Sequence, residues 1–524
     1  MHREINLDSI HALEERIREH PGPVGAIIQL KRNRNSLLNV SVLLPPEILG
    51  RIFRWNATPY GDFGGLPKGS YNFLLVCHHW FEVASRTPEL WNFWGNSIRD
   101  WTHRHARCGT APLDLVLSNP EGELGDQLRD ALWNRATRDT IRSVHLRDNS
   151  TSRKPVLSSV ISSIVVEGEE TRSSSVESFV VDNRRRPIVD VSAFFSRYHL
   201  PKLRRLHLHG CRISPSSILP MSRITTLTTL KIARGLTPTP TSPQLLSIIS
   251  SNPLLQFLDL SPSSAPRVTG DHRPSPSVPL RHLKELYLWG ETFHATSWLL
   301  NRLELPDQLD SLEMTLFGFS LEDISQSLGP YLGDRVRRLG GLPGGGLELS
   351  AKHSGGFFNL CVESTRTTGD SAEVYLSVHV MAIDPMMKDE EAVRLGFDLI
   401  AHIPREQIVH LKTTLPILRS EELCIGMRNL TYLRVSHPDL STWFIEPDIW
   451  GPDTSRELLR SLDRLDISRP TLGGGDWIPL TNFLTRRAAV GNRISLLLLK
   501  HYPLMRPEVV ESIEQVVEVF EGCA

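Results

Sequence analysis

The chain has 524 residues, 40% of them apolar, and its 58 Lys and Arg side chains nearly balance 59 Asp and Glu side chains, for a net charge of −1. A chain of this length can form two or more hydrophobic cores. The balanced charge excludes a strong long-range field that would attract nucleic acid or an anionic membrane surface. No run of about eighteen apolar residues, the length that crosses a bilayer, occurs in the sequence.

Six cysteines are scattered along the sequence without a C-x-x-C pair. This pattern favours a reducing compartment over a disulfide framework. The first residues also lack the apolar stretch that is typical of a secretory signal. We therefore expect a soluble protein of the cytoplasm, the nucleus or both, with no membrane partner and no nucleic-acid partner.

Residues 1–40 are predicted to contain a short charged helix over residues 4–20 and a linker. The helix is expected to end at Pro21-Gly22-Pro23, because proline and glycine terminate helices. Its apolar stripe is too short for a coiled coil, which needs three or more heptads. Docking against the helices that follow is the expected role of this segment.

The segment from Leu43 to Trp94 carries more apolar residues than its length can bury. Pro45 and Pro46 suit the first turn of a helix, where a missing N–H costs nothing. The apolar residues that follow recur at helical spacing, namely Ile48, Leu49, Ile52 and Phe53. After a glycine-rich gap, a second apolar helix is predicted with Phe73, Val76, Cys77 and Trp80 at steps of three and four. Part of this surface is expected to face a partner.

The order of motifs in residues 41–95 resembles an F-box. The motifs are Leu-Pro-Pro-Glu-Ile-Leu from Leu44, Ile-Phe at 52–53, Val-Cys-x-x-Trp from Val76, and Leu-Trp at 90–91. An F-box docks a substrate receptor onto the Skp-type adaptor of a cullin–RING ubiquitin ligase. The resemblance implies that nine residues contact the adaptor: Leu44, Pro45, Ile48, Leu49, Ile52, Phe53, Val76, Cys77 and Trp80. The long insert Pro59–Ser70 departs from the family pattern, and the alternative is a helical hairpin that packs only on the chain's own C-terminal domain.

Residues 96–524 are dominated by one recurring unit, apolar-x-x-apolar-x-apolar, after a predicted helix at Ser97–Cys108 and a predicted strand at Leu113–Leu117. The middle copies recur about every 24 to 28 residues, within the range of leucine-rich repeats. The copy that starts at Leu203 resembles the full leucine-rich-repeat core, with Cys211 in the turn position. The nine copies are 141–146, 176–181, 203–208, 227–232, 255–260, 283–288, 309–314, 430–435 and 462–467.

The resemblance and the repeats together predict an α/β fold. We expect an all-helical F-box followed by an irregular leucine-rich-repeat solenoid, with a curved and mostly parallel sheet. Two stretches are expected to interrupt the array: a mobile loop at Ser261–Pro279, and an insertion near residues 318–405 that forms either a hairpin or degenerate repeats. A final helix over Pro507–Phe520 is expected to cap the last strand.

The "x" positions of each unit are expected to lie on the concave face of the sheet, since alternate side chains of a strand point to opposite faces. Arg, Tyr and Trp are the residue types that anchor interfaces. The predicted target-binding residues are Arg205, His207, Tyr287 and Trp289. The alternative for Trp289 is packing under the neighbouring loop.

No sequence motif of a hydrolase, metalloprotease or nucleotide-binding loop is found. His103-x-His105-x-x-Cys108 supplies three zinc-type ligands but matches no common finger spacing, so no metal and no cofactor are predicted. The expected function is a non-catalytic substrate-recognition subunit, whose partners are the Skp-type adaptor and an unidentified target protein. The alternatives are a repeat scaffold without a ligase role, and an enzyme whose site is assembled from distant residues.

Overall fold

The structure is a computed structural model. It describes residues 44–57, 72–95, 101–119, 140–149, 156–165, 172–184, 188–214, 216–217, 221–233, 236–237, 242–260, 277–290, 293–306, 309–317, 326, 328–340, 346–354, 357–368, 371–383, 388–416, 421–436, 459–470, 477–501 and 505–523, with isolated residues between 12 and 33. The chain divides into unit 1, Met1–Leu227 with Gly235–Pro238, and unit 2, Thr228–Arg234 with Thr239–Ala524. The domain boundaries expected after residues 40 and 95 stay predictions.

Three predicted segments lie wholly or largely outside the described residues. They are the N-terminal helix over residues 4–20, the insert Pro59–Ser70 and most of the loop Ser261–Pro279. The end of that loop is described, and Val278–Pro279 forms a short strand.

Unit 1 contains α1 (Pro46–Asn56), a 3-10 helix (Asn72–Leu75), α2 (His78–Ser85), a second 3-10 helix (Pro88–Leu90) and α3 (Trp101–Cys108). Helix α1 starts with proline in its first turn and carries Glu47 there, with Arg54 in its last turn. These positions complement the helix dipole. The first helix of the predicted pair is therefore confirmed.

The predicted second helix is wrong in its extent. Residues Asn72–Leu75 form only a 3-10 turn, and Cys77 is extended, with φ −159° and ψ 167°. The α-helix begins at His78. Because the backbone changes direction at Cys77, Val76 and Cys77 do not share a helical face with Trp80. The apolar spacing was real, but it spanned two elements.

The sheet of unit 1 is parallel. Its elements are β1 (Phe93–Trp94), β2 (Leu113–Ser118), β3 (Ile141–Asp148), β4 (Arg172–Ser173), β5 (Ser178–Asn183), β6 (Val189–Asp190), β7 (Tyr198–His199), β8 (Arg205–His209) and β9 (Cys211–Arg212), with helices α4 (Val156–Ile164) and α5 (Ser192–Arg197). Strand β1 pairs with β2, β2 with β3, β3 with β5 and β5 with β8. Two short parallel pairs, β4 with β7 and β6 with β9, accompany it.

The core of unit 1 behind β5 is aromatic. Phe179 stacks on Phe194 with ring centroids 4.0 Å apart and meets the edge of Phe195 at 5.8 Å. Each of these rings is at most 2% exposed. Beyond β8 the chain turns at Gly210, which has φ +64° and on which a Cβ would lie 1.9 Å from the Asn183 carbonyl oxygen. Only glycine allows this approach, and Asn183 Nδ2 donates to the Gly210 carbonyl at 3.1 Å.

Unit 2 is also built on a mostly parallel sheet. Its strands are β10 (Thr229–Ile232), β11 (Phe257–Leu260), β12 (Val278–Pro279), β13 (Glu285–Gly290), β14 (Leu303–Glu304), β15 (Ser311–Phe317), β16 (Gly346–Ser354), β17 (Phe357–Thr368), β18 (Ser371–Ile383), β19 (Ile408–Thr413), β20 (Tyr432–Ser436), β21 (Arg464–Ser468), β22 (Ile494–Lys500) and β23 (Val517–Cys523). Its helices are α6 (Ser242–Ser250), α7 (Phe293–Leu300), α8 (Gly329–Gly340), α9 (Asp389–His402), α10 (Glu421–Gly426), α11 (Ile478–Ala489) and α12 (Pro507–Glu514), with a 3-10 helix at Arg405–Gln407.

The pairing of unit 2 follows chain order except at the predicted insertion. Parallel pairs join β10, β11, β13 and β15 in turn, and likewise β19, β20, β21, β22 and β23. Between these runs, β16, β17 and β18 pair antiparallel as a meander. Strand β18 pairs parallel with β15, and β16 pairs parallel with β19. The predicted hairpin is thus confirmed, and the meander continues the sheet.

All nine predicted repeat copies form strands, and every apolar residue of the nine triplets is buried. Pairing places equivalent triplet positions side by side, as in Leu258 with Leu286 and Leu286 with Leu312. The buried positions therefore form continuous apolar rows, and the intervening residues lie on the opposite, polar face. An α/β fold with a mostly parallel sheet is confirmed.

The predicted C-terminal helix is wrong beyond its first two turns. Helix α12 ends at Glu514, and Val517–Cys523 forms β23, which pairs parallel with β22. Val517 is buried, whereas Val519 is 48% exposed. The backbone N–H and C=O groups along the edge of β22 form hydrogen bonds with β23. This strand pairing prevails over the helix that the spacing of Val509, Ile513 and Val517 predicts.

The cysteines differ in their accessibility. Cys108, Cys211, Cys361 and Cys424 are buried, and Cys77 is half-buried. Burial raises the pKa of the Cys424 thiol to about 12, and it also raises the pKa of Cys211.

Only the thiolate form of a cysteine reacts quickly with an alkylating reagent. We expect iodoacetamide at about pH 8 to alkylate Cys77 in the folded chain and Cys211 and Cys424 only after unfolding, as measured by peptide mass spectrometry. Equal native rates at Cys77 and Cys424 would contradict this prediction.

Candidate functional site

The inner side of α1 and α2 forms a hydrophobic cluster, called here the helical cluster. Its buried members are Leu49, Phe53, Phe73, Val83, Ala84, Leu90, Trp91 and Cys108. Phe53 lies at its centre, stacked on Phe73 with ring centroids 4.4 Å apart and tilted against Trp80 at 5.1 Å. Two helices too short to be stable alone are thus held by tertiary packing.

Polar contacts fix the geometry at the rim of the helical cluster. Trp91 Nε1 donates to the Ala84 carbonyl at 2.9 Å, and Thr87 Oγ1 donates to the Val83 carbonyl at 2.8 Å. The Arg107 guanidinium lies 4.5 Å from the centroid of the Trp91 ring, within cation–π range. These contacts cap the end of α2 and orient the Leu-Trp motif at residues 90–91.

The outer side of α1 carries three exposed apolar residues, called here the apolar stripe. Ile48 is 41% exposed, Ile52 is 44% exposed and Trp55 is 85% exposed. Their spacing of four and three residues places them on one helical face. Leu75, Val76 and Phe81 are exposed apolar residues on the neighbouring elements, at 85%, 47% and 41%. Isolated exposed apolar residues are ordinary, but several on adjacent elements mark an interaction surface.

The nine predicted adaptor residues divide into three groups by exposure. Pro45, Ile48, Ile52 and Val76 are exposed, and Leu44, Cys77 and Trp80 are half-buried. Leu49 and Phe53 are each 1% exposed and lie in the helical cluster. As folded, Leu49 and Phe53 present no surface to a partner, and their role is to position the apolar stripe. Adaptor contact stays a prediction for all nine.

Three exposed residues were missing from the predicted set, namely Trp55, Leu75 and Phe81. The signal for Trp55 was present in the sequence, because the helical period from Ile48 through Ile52 leads to Trp55. Leu75 and Phe81 could not be found this way, since the break at Cys77 is not visible in the apolar spacing.

The polar face of the unit 1 sheet holds two predicted target-binding residues. Arg205 is half-buried, but His207 is only 9% exposed and offers little area to a partner. The next row of this face is ionic. Asp182 is 2% exposed and lies 3.4 Å from Arg147 Nε and 3.3 Å from His209 Nδ1. This carboxylate joins β3, β5 and β8.

The other two predicted target-binding residues lie on β13 of unit 2, and both are half-buried. The Tyr287 hydroxyl donates to Glu285 at 2.9 Å, and its ring lies 5.3 Å from the ring of Phe257. Burial is the largest cause that raises the pKa of Tyr287. Trp289 occupies the next outward position of the same strand and, like Tyr287, keeps part of its side chain exposed.

A second polar group on unit 2 was not predicted. Asp466 of β21 is 1% exposed, and its carboxylate lies 3.3 Å from both Lys500 Nζ and the Tyr432 hydroxyl and 3.8 Å from Arg434 Nε. Arg464 lies over the Tyr432 ring at 5.1 Å. Burial is the main cause of the raised pKa of Tyr432, and the negative charge of Asp466 raises it further. The signal was available, because these residues are the "x" positions of the two late repeat copies and the end of the next strand.

Within the described ranges, no group of three or more His, Cys, Asp or Glu side chains could hold a metal ion. No helix among those residues is both long and apolar enough to cross a membrane. A cavity of about 100 Å³ lies against α5 and is lined by Phe195, Tyr198, His199 and Arg223, among others. That volume is well below the several hundred Å³ of most ligand sites.

Comparison with known proteins gives no family assignment. A scan against protein-family models finds no match to this chain, and a search of the curated proteins finds none. The function is therefore argued from the motifs and the two surfaces described above.

Proposed function

We propose that this chain is the substrate-recognition subunit of an SCF-type cullin–RING ubiquitin ligase. In this proposal, residues 41–95 are an F-box that docks on a Skp-type adaptor. Residues 96–524 are an irregular leucine-rich-repeat solenoid that binds a target protein. The complex would act in the cytoplasm, the nucleus or both.

The observation that carries the proposal is the apolar stripe on α1. The helix that begins with the Leu-Pro-Pro-Glu motif leaves Ile48, Ile52 and Trp55 in water. Leu49 and Phe53, one position further along, hold the helix to the rest of the chain. One face is thus used internally and the other is available to a partner, as a docking module requires. The repeat assignment is supported by equivalent triplet positions lying side by side in parallel strands.

The mechanism would be proximity rather than chemistry. A receptor that binds adaptor and target together converts a bimolecular reaction into one within a single complex, with an effective concentration set by geometry. The target lysine is then held near the ubiquitin-charged enzyme, which performs the transfer. No side chain of this chain is required to react.

Adaptor binding can be tested with the exposed residues, because they contribute little to folding. We expect Ile48→Asp with Ile52→Asp to weaken binding to a recombinant Skp-type adaptor by at least about 2 kcal/mol, or roughly thirtyfold, because each carboxylate would be buried without a partner. The measurement is isothermal titration calorimetry with the purified full chain.

The matched control is Leu254→Asp with Ile478→Asp, which places the same charges on exposed apolar sites of unit 2, at 48% and 63% exposure. This variant should bind the adaptor like the unchanged chain. Equal binding by the stripe variant, with unaltered thermal unfolding, would favour the alternative of a repeat scaffold without a ligase role. Burial of Leu49 and Phe53 within the chain is the observation that keeps this alternative open.

A further inference from the structure

The polar face of the unit 2 sheet has two regions of opposite charge. The first, called here the acidic zone, consists of Asp259 on β11, Glu285 on β13 and Glu313 on β15. Lys231 of β10 is paired with Asp259. Glu285 and Glu313 are half-buried, which leaves part of each side chain in water. One cation against three carboxylates leaves this end of the face negative.

The second region, called here the basic zone, lies on β19–β22. It consists of Lys412, Arg434, Arg464 and Lys500. Asp466 is its buried counter-ion, in reach of Arg434 and Lys500. Arg464 is exposed, and the side chains of the other three are 36 to 40% exposed. Asp466 and Glu348, the partner of Lys412, offset two of these four positive charges, so the zone keeps an excess of positive charge.

Strand register shows that the two zones share one face. Backbone pairing runs from Glu313 through His379, Cys361 and Ser350 to Lys412, one strand at a time. Paired residues of adjacent strands point to the same side of a sheet. Glu348 lies between the zones and is engaged by Lys412, with His410 at 3.8 Å. Glu363 is its neighbour on β17.

The spacing of the zones sets the length of an occupant. Six strand steps separate β13 from β20 along the sheet. At about 4.8 Å for each step, this is about 29 Å. An extended peptide advances about 3.3 Å for each residue, so about nine residues reach from the centre of one zone to the centre of the other.

We infer that this face binds an extended peptide segment of a protein partner, with basic side chains on the acidic zone and acidic side chains on the basic zone. Complementary charges fix register and suppress wrong partners. Tyr287, Trp289 and Tyr432 supply aromatic area of the kind that anchors interfaces. A nucleic acid fits less well, because a uniformly anionic chain laid across the face would meet Glu285, Glu313 and Glu348.

The identity of the peptide as part of a ubiquitination target rests on the proposed function. The binding of a peptide to this face does not depend on it. The test therefore uses the purified full chain without adaptor. The probe is a fluorescein-labelled peptide with about four lysines, a neutral Gly/Ser spacer of about five residues and about four glutamates, which places the centres of the two charged ends about nine residues apart; it is made in both directions. Fluorescence anisotropy at low salt should show saturable binding for only one of the two peptide directions. It should be roughly tenfold tighter than that of peptides in which either charged end is replaced by serine.

Variants locate the binding on the face. We expect Arg434→Gln with Arg464→Gln to weaken binding of the mixed-charge peptide roughly fivefold or more, and Glu285→Gln with Glu313→Gln to do the same independently. The matched control is Arg428→Gln with Arg486→Gln, because both arginines are exposed and lie outside the strands of unit 2. This control should bind like the unchanged chain.

Several outcomes would overturn the inference. The first is that the mixed-charge peptide does not bind saturably, and the second is that it binds no more tightly than peptides of a single charge sign. The third is that neither zone variant changes the affinity for the mixed-charge peptide although circular dichroism shows that both variants are folded. Tighter binding of a labelled oligothymidylate that is lost in the Arg434/Arg464 variant would assign the basic zone to nucleic acid instead. Failure of adaptor binding with intact peptide binding would remove the proposed function and leave this inference standing.

Discussion

Replacing Phe179 with Ala is expected to lower the free energy of unfolding by about 3–5 kcal/mol. Phe179 is fully buried on β5, where its ring stacks on Phe194 at 4.0 Å and meets Phe195 edge-on. The substitution loses the transfer free energy of the ring, leaves a cavity and removes two aromatic contacts. Equilibrium urea unfolding followed by tryptophan fluorescence measures the change.

Phe81→Ala is the matched control for Phe179, because it removes the same ring from a site that is 41% exposed. Its cost should stay below about 1 kcal/mol. Hydrogen exchange then locates the effect, since lost protection should concentrate on β5 and on β3 and β8, the two strands that pair with it. A Phe179→Ala variant as stable as the control would show that this aromatic group is not a core.

The second large effect is expected at Phe53. Phe53→Ala should cost about 3–5 kcal/mol of local stability, because the ring is 1% exposed between Phe73 and Trp80. The helices that it joins are short, so they have little stability apart from this packing. Hydrogen exchange of α1 and α2 measures the loss directly, even where the rest of unit 1 stays folded.

Trp55→Ala provides the comparison for Phe53, since Trp55 lies on the same helix and is 85% exposed. Protection of α1 should be nearly unchanged in this variant. Adaptor affinity should nevertheless fall in the Trp55→Ala variant if the proposed function holds, because Trp55 belongs to the apolar stripe. Equal loss of protection in both variants would contradict the division of α1 into an inner and an outer side.

The repeat triplets were predictable because burial and pairing act on the same residues. In Leu283-x-x-Leu286-x-Leu288, the last two leucines alternate along β13, and neighbouring strands bury their own copies beside them. The pattern is short, but its recurrence reflects a constraint that each strand imposes on the next. Strand β22 was not predicted, because Leu496–Leu499 is a continuous apolar run without the triplet spacing. Such a run fits a strand or a buried helix equally well.

The errors in helices arose where tertiary contacts outweigh local spacing. Phe73 and Trp80 both contact Phe53, so they belong to one cluster although the chain between them is not one helix. Likewise, Val517 continues the apolar face of α12, yet an available strand edge at β22 draws it into the sheet. Periodicity identified buried residues such as Phe73 and Val517 but also included the exposed Val76, and it could not identify the element to which each residue belongs.

The candidate surfaces were predictable only in part, because exposure depends on packing. The motif at residues 44–53 named both Ile48 and Leu49, and only the structure separates the outer residue from the inner one. His207 was expected on an open face but is nearly covered beside β5. Half of the basic zone follows from a simple rule, since Arg434 and Arg464 are "x" positions of the two late copies, whereas Lys412 and Lys500 lie on strands that were not among the predicted copies.

The meander of unit 2 has a consequence for how the chain folds. A sheet in which every strand pairs with its successor can grow from any point by adding the next strand, with only local loops to close. Here β15 must wait for β18, because Ser311 pairs with Ser377 in the completed sheet. The runs β10–β15 and β19–β23 can therefore nucleate separately. The antiparallel strands β16, β17 and β18 then pair between them and complete the sheet. We expect the slow step in the assembly of unit 2 to be this joining, which closes two long-range pairings, β15 with β18 and β16 with β19, rather than the formation of the two separate runs.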